Sequence, residues 1–137
     1  MRQALTHPAL VRAVGRLLRR TWAAPASLLG LLLAPFFGRR SVRDGVLLCE
    51  GAGWPRRLGF RYRAMTLGHV VLCIDEVDDA LLGHELVHVR QHEMLGPLFL
   101  PSYALASLVA VARGGDAYSD NAFEVAARRE PSSRARS

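Results

Sequence analysis

A chain of 137 residues has room for one hydrophobic core but not two independent ones, and a hydrophobic content of 50% excludes a disordered chain. The formal charge of +6 is carried by 18 arginines and no lysine. Residues 1–43 hold eight arginines and no acid, whereas "DEVDD" (75–79) sets four acids within five residues, so the first segment suits an anionic surface and the second would be repelled by one.

Residues 7–20 place Leu10, Val11, Val14, Leu17 and Leu18 at helical spacing with arginines between them, which predicts an amphipathic helix with a cationic face. The uncharged run "WAAPASLLGLLLAPFFG" (22–38) predicts a second helix from about Pro25 to Pro35–Gly38. With 17 residues, two prolines and arginines at both ends it is short for a bilayer span. "FFGRRS" offers no small-residue cleavage site of the secretory kind, so a cytoplasmic or cytoplasmic-face location is expected.

The pattern changes after Gly45. "VLLCE" (46–50) reads as a short buried strand and "GAGWPRR" (51–57) as turn chemistry. "LGFRYRAMTL" (58–67) alternates arginines with Phe60, Tyr62 and Ala64, and "HVVLCI" (69–74) is β-branched and apolar. The expected fold is α+β, a small antiparallel sheet packed on one long helix, with N-terminal and C-terminal helices around them. Arg61 and Arg63 lie beside aromatic residues, but no nucleic-acid-binding module accompanies them, and no nucleic-acid partner is expected. Cys49 and Cys73 sit in apolar runs as small hydrophobes, in keeping with a reducing compartment.

Asp75, Asp78 or Asp79 can cap the next helix, predicted over about 79 to 94–95 and ended by Gly96 and Pro97. A further helix is predicted over 101–113, a turn over 114–120 and a last helix over 121–129, with 130–137 as a polar, flexible tail. The run "GPLFLPSYALASLVAVA" (96–112) is as apolar as the first one, and the pair fits either a membrane-associated hairpin or two helices covering a sheet.

The long helix reads "DDALLGHELVHVRQHEMLG" (78–96). His84 and His88 are four residues apart, so their imidazoles project from one face and can converge on one zinc ion. Glu85, beside that face, can take a proton from a water activated by the metal and deliver it to a leaving amine. A third ligand must come from elsewhere. His92 continues the spacing but too far along one straight helix, Glu93 points away, and position 94 is Met. Glu124 in "SDNAFEVAARR" can fold back as that ligand, or it can form a capping box with Asn121. Asp120 and Glu130 are weaker choices, as cap and tail.

"GHELVHVRQHE" resembles the zincin metallopeptidases of the glutamate-ligand type, and among them small bacterial domains with the signature His-Glu-Leu-x-His-Val-x-Gln, met here by His84, Glu85, Leu86, His88, Val89 and Gln91. "AMTLGHVVL" (64–72) is similar to their Thr-x-Gly-x-x-Ile segment, and "FEVAA" (123–127) to their later ligand-bearing element. The resemblance covers residues 64–129. It implies His84, His88 and Glu124 as zinc ligands, Glu85 as general base, strand 69–74 as the edge that pairs with an extended peptide, and a peptide or protein substrate. Arg128 stands where many of these enzymes carry an Asp that orients a ligand histidine. For the group that stabilises the oxyanion, Tyr103, Tyr118 and His69 are candidates, with Tyr118 preferred for its nearness to Glu124.

The expected organisation is a basic, apolar helical region (1–43) able to meet a membrane surface, a zincin-like metal-binding domain (44–129) and the tail (130–137). The expected activity is zinc-dependent peptide-bond hydrolysis. The alternatives are a zinc-binding scaffold without turnover and a basic membrane-surface protein.

Overall fold

The structure is a computed structural model that describes residues 7–60 and 62–130. The chain begins with a single helix, α1 (His7–Leu33), followed by a 3₁₀ turn at Ala34–Phe36. Two strands follow, β1 (Arg39–Arg43) and β2 (Val46–Glu50), then a one-turn helix α2 (Trp54–Arg57) and strands β3 (Ala64–Leu67) and β4 (Val70–Cys73). Helix α3 (Asp79–Leu95) passes through a 3₁₀ turn at Gly96–Leu98 into α4 (Phe99–Ala112), and α5 (Ala122–Arg129) closes the described chain. The tail expected at 130–137 lies, beyond Glu130, outside the described residues.

The α+β expectation holds, with a mixed four-stranded sheet in the order β1-β2-β4-β3 packed on α3. Two of its ladders are antiparallel hairpins, while the central pairing of β2 with β4 is parallel, Leu48 facing Val71. The segment between β2 and β3 carries the chain past the sheet, so β3 adds outside β4 and β4 becomes central. All four residues of β4 are buried, the continuous apolar run of a strand covered on both faces. Val46, Leu48, Val71 and Cys73 meet Leu82 and Val89 of α3 on one face. Cys49, Val70 and Leu72 meet Ala34, Phe37 and Ala52 on the other.

Three expectations change. The resemblance makes the strand at 69–74 a sheet edge, but the edges are β1 and β3, and β4 lies inside. The strand expected over 58–67 is confined to Ala64–Leu67, because the expected turn at 51–57 contains α2, whose Trp54 Nε1 donates to the Phe36 carbonyl at 2.8 Å. Strand β1 was not expected, since "RRSVR" is mostly exposed and carries no apolar alternation. Its signal is Asp44-Gly45, with φ of 53° and 78°, the positive angles that a tight hairpin turn requires.

The two helices expected before residue 39 are one, continuous through Pro25. Proline lacks the amide for one helical bond and crowds the preceding turn, so tertiary packing must offset that loss for the helix to continue. That packing is made by small residues: Ala23, Ala26 and Gly30 are buried. A Cβ on Gly30 would sit 2.6 Å from the Val70 Cβ, and one on Gly96, where φ is 53°, would strike the Trp22 ring at 2.4 Å. Ser27 Oγ accepts from the His69 amide at 3.0 Å, and Trp22 Nε1 donates to the Met94 carbonyl at 3.3 Å. Helix α1 is thereby seated on the β3–β4 turn and on the C-terminal end of α3.

Helical stretch Asp79–Ala112 is long and apolar enough to cross a membrane by length and composition, with a window of mean hydropathy 1.7 that is 17% buried. The outward side chains include Leu105, Leu108 and Val111 of α4.

Replacing Gly30 with leucine should force α1 off Val70 and lower unfolding free energy by about 1–3 kcal/mol in urea titration. Gly15→Ala, at an open helical position, should be neutral or stabilising by up to about 1 kcal/mol. Equal effects at the two positions would contradict the docking of α1.

Candidate metal centre

Helix α3 starts where the Asp78 carboxylate accepts from the Leu81 amide at 2.7 Å, and it ends at Gly96. One turn apart on it, His84 and His88 bring their Nε2 atoms to 3.2 Å. Glu124 completes the group from α5, its Oε2 3.0 Å from His84 Nε2 and its Oε1 3.2 Å from His88 Nε2. The candidate ligand atoms all lie within 4.8 Å of one another. A tetrahedral zinc bound at about 2.0–2.1 Å separates its ligand atoms by about 3.3 Å, close to the spacing of the two Nε2 atoms, and the cluster is compatible with that ion. The donor set, two imidazoles and a carboxylate, is one that zinc accepts with a fourth position left open.

His88 Nδ1 donates to Gln91 Oε1 at 2.8 Å, and Gln91 Nε2 donates to the Phe123 carbonyl at 3.3 Å. The first bond places a ring proton on Nδ1 and turns Nε2 toward the cluster; the second ties the same glutamine to α5 beside Glu124. Position 91 follows His88 by three residues, the spacing that sets side chains side by side on a helix, so this partner was readable from the sequence.

Asn121 caps α5 without Glu124, its own amide donating to the Tyr118 carbonyl at 3.1 Å. Its Oδ1 accepts from the Phe123 amide at 2.9 Å, capping α5, while its Nδ2 donates to the Tyr103 carbonyl at 3.0 Å and to Ser107 Oγ at 2.8 Å. The asparagine therefore bolts α5 to α4, and the Glu124 carboxylate faces the histidines. Tyr103 donates its hydroxyl proton to Glu124 Oε1 at 2.7 Å. Burial works against the charged form of Glu124, but the bonds from His84, His88 and Tyr103 override it and hold the carboxyl far below the usual range. For His88, burial again opposes charge, and the Glu124 carboxylate outweighs it, raising the imidazole.

Glu85 is 3% exposed on the adjacent side of α3. Its Oε2 accepts the Thr66 hydroxyl at 2.7 Å, which aims the carboxyl, and burial pushes its pKa up despite that bond and the two histidines. Thr66 stands on the edge strand β3, and its carbonyl accepts from His92 Nε2 at 3.1 Å. His92 is thus a buried structural histidine, driven down to about 4 by burial.

The other candidates have different partners. Glu93 pairs with His69 at 2.8 Å, Asp120 accepts from the Asp116 amide at 2.7 Å, Glu130 pairs with Arg90, and Arg128 donates to the Ser119 carbonyl. Met94 is exposed. Tyr118 lines a cavity of about 260 Å³ together with Glu85, His88 and Glu124, walled by Met65 and Leu67 of β3 and by Phe99, Leu100 and Tyr103 of α4. Burial, then Glu124, push its hydroxyl up to about 12.

A scan against protein-family models and searches of curated proteins and of solved structures find no match to this chain.

Gln91→Leu frees the His88 ring and loosens its tie to α5, so zinc affinity should fall roughly 10–100-fold in competition with a chromogenic chelator. Unchanged affinity would show that the glutamine does not orient the ligand.

Proposed function

We propose that this protein is a zinc-dependent peptide-bond hydrolase whose ligands are His84, His88 and Glu124. The observation that carries the reading is the buried Glu85 carboxyl, aimed by Thr66 and lining one cavity with His88 and Glu124. When bound there, zinc would polarise a carbonyl and make water acidic enough to attack it at neutral pH.

The chain's own groups do the rest. Glu85, with its raised affinity for a proton, takes one from the attacking water as the hydroxyl adds to the carbonyl carbon. It then gives that proton to the amide nitrogen as the carbon–nitrogen bond breaks, and returns to its starting state. Tyr118 keeps its proton at neutral pH and, half exposed on the cavity wall, is assigned as donor to the carbonyl oxygen. Tyr103 is engaged on Glu124 and is assigned to hold that ligand. Edge strand β3 is the side along which an extended peptide would pair. The chemistry is assigned to residues 44–129.

Glu85→Gln preserves shape and removes the base. Zinc content should stay stoichiometric while hydrolysis of a quenched-fluorescent peptide library falls by roughly 10²–10⁴. His84→Ala and His88→Ala should lose zinc and activity together. A zinc-loaded wild type that cleaves no peptide in the library would make the chain a metal-binding scaffold instead.

A further inference from the structure

Because α1 is one helix, side chains from both halves of it fall into register. At 100° per residue, Leu10, Val14, Leu17, Leu28 and Leu32 lie within about 60° of arc, bridged by Thr21 and Ala24. Leu17, Leu28 and Leu32 are 65%, 61% and 71% exposed. The buried residues of the helix, Ala23, Ala26 and Gly30, occupy the opposite side. No residue from 7 to 20 is buried, so the first half of α1 overhangs the body. Leu18, Trp22 and Leu29, all exposed, border the stripe on one flank, and Leu31 and then Arg20 border the other. Arg12, Arg16 and Arg19 lie farther round, on the side away from the stripe, and α1 carries no acid.

We propose that α1 lies along the surface of an anionic phospholipid bilayer. The stripe Leu10–Val14–Leu17–Leu28–Leu32 is seated at the boundary between headgroups and acyl chains, with Arg20 at its edge at headgroup level and the other arginines on the polar side, within the field of the anionic surface. Three features select this occupant. A helix of about 40 Å with an uninterrupted apolar side and a cationic remainder has the form of an interfacial helix. Its flanking Trp22 is the residue type that sits at headgroup depth. A second copy apposed stripe to stripe would cover the leucines but leave the arginines on the outer sides with no acid to match them. Nucleic acid would neutralise the arginines but leave the stripe in water. The acids Asp75, Glu76, Asp78 and Asp79 stand at the start of α3, whereas Trp22 of α1 is seated at its other end, about 24 Å along that helix.

The test uses the full chain with phosphatidylcholine vesicles and with mixed phosphatidylcholine–phosphatidylserine vesicles. Co-sedimentation should be strong on the mixed vesicles, weaker on phosphatidylcholine and weaker in high salt. Leu17→Asp/Leu28→Asp should bind roughly a hundredfold more weakly on both. Leu10→Asp/Val14→Asp, confined to the overhang and so harmless to the core, should show the same direction. Arg12→Gln/Arg16→Gln should lose roughly tenfold on mixed vesicles only. Zinc content and melting temperature in each variant report that the body is intact. The proposal is overturned by absence of vesicle binding, by binding that the stripe variants leave unchanged, or by a solution dimer that they dissociate.

Discussion

The structure depends above all on one buried carboxylate. Glu124 is 3% exposed, and an ionised carboxylate taken out of water costs several kcal/mol unless donors replace the lost hydration. Three do so: the two imidazoles and the Tyr103 hydroxyl. The same arrangement sets two Nε2 atoms 3.2 Å apart with a negative oxygen beside each. Gln91 accepts the Nδ1 proton of His88, so when the two rings release their Nε2 protons the lone pairs face the cluster, and a divalent cation is compatible with the place those protons leave beside the carboxylate.

Holding that geometry falls to two polar residues that join elements bearing chemistry to elements bearing none. Thr66 spans the edge strand and α3: its hydroxyl aims Glu85 and its carbonyl is fixed by His92, so the Glu85 carboxyl and the strand edge are held together. Asn121 spans α5 and α4, capping the helix that carries Glu124 while gripping Tyr103 and Ser107. Both residues are buried, where a lost hydrogen bond is costly, and this makes the two joints stiff. The second wall of the cleft, which so short a chain has little material to build, is supplied by α4 through Phe99, Leu100 and Tyr103.

The sequence disclosed most where one physical rule dominated. The bounds of α3 and α5 followed from caps and periodicity, and the convergence of His84 with His88 followed from helical spacing. Glu124 was left between two roles because both obey local rules; only the tertiary position of α4, which occupies Asn121, separates them. Tyr103 was one of three aromatic or imidazole candidates, and nothing local ties residue 103 to residue 124. The parallel ladder, the inner place of β4 and the strand β1 were not legible either, since pairing order is a property of the whole chain. Proline was overread at position 25: its local penalty is real, but Ala23, Ala26 and Gly30 packed on the β3–β4 turn outweigh it.

Helix α1 also reverses the usual distribution of size along an amphipathic helix. A helix covering a core ordinarily buries its leucines and exposes small or polar residues. Here alanine and glycine face the body and leucine faces out. Small inward residues let the α1 backbone approach Val70 and the β3–β4 turn closely, so docking rests on close backbone contact and a few hydrogen bonds rather than on large buried side chains. The outward leucines therefore add nothing to the core that α1 covers. In water they are a cost without return, since removing apolar surface from water is what stabilises a fold. The proposed seat on an anionic lipid surface would give those leucines a second apolar phase outside the protein and the arginines a charge to match.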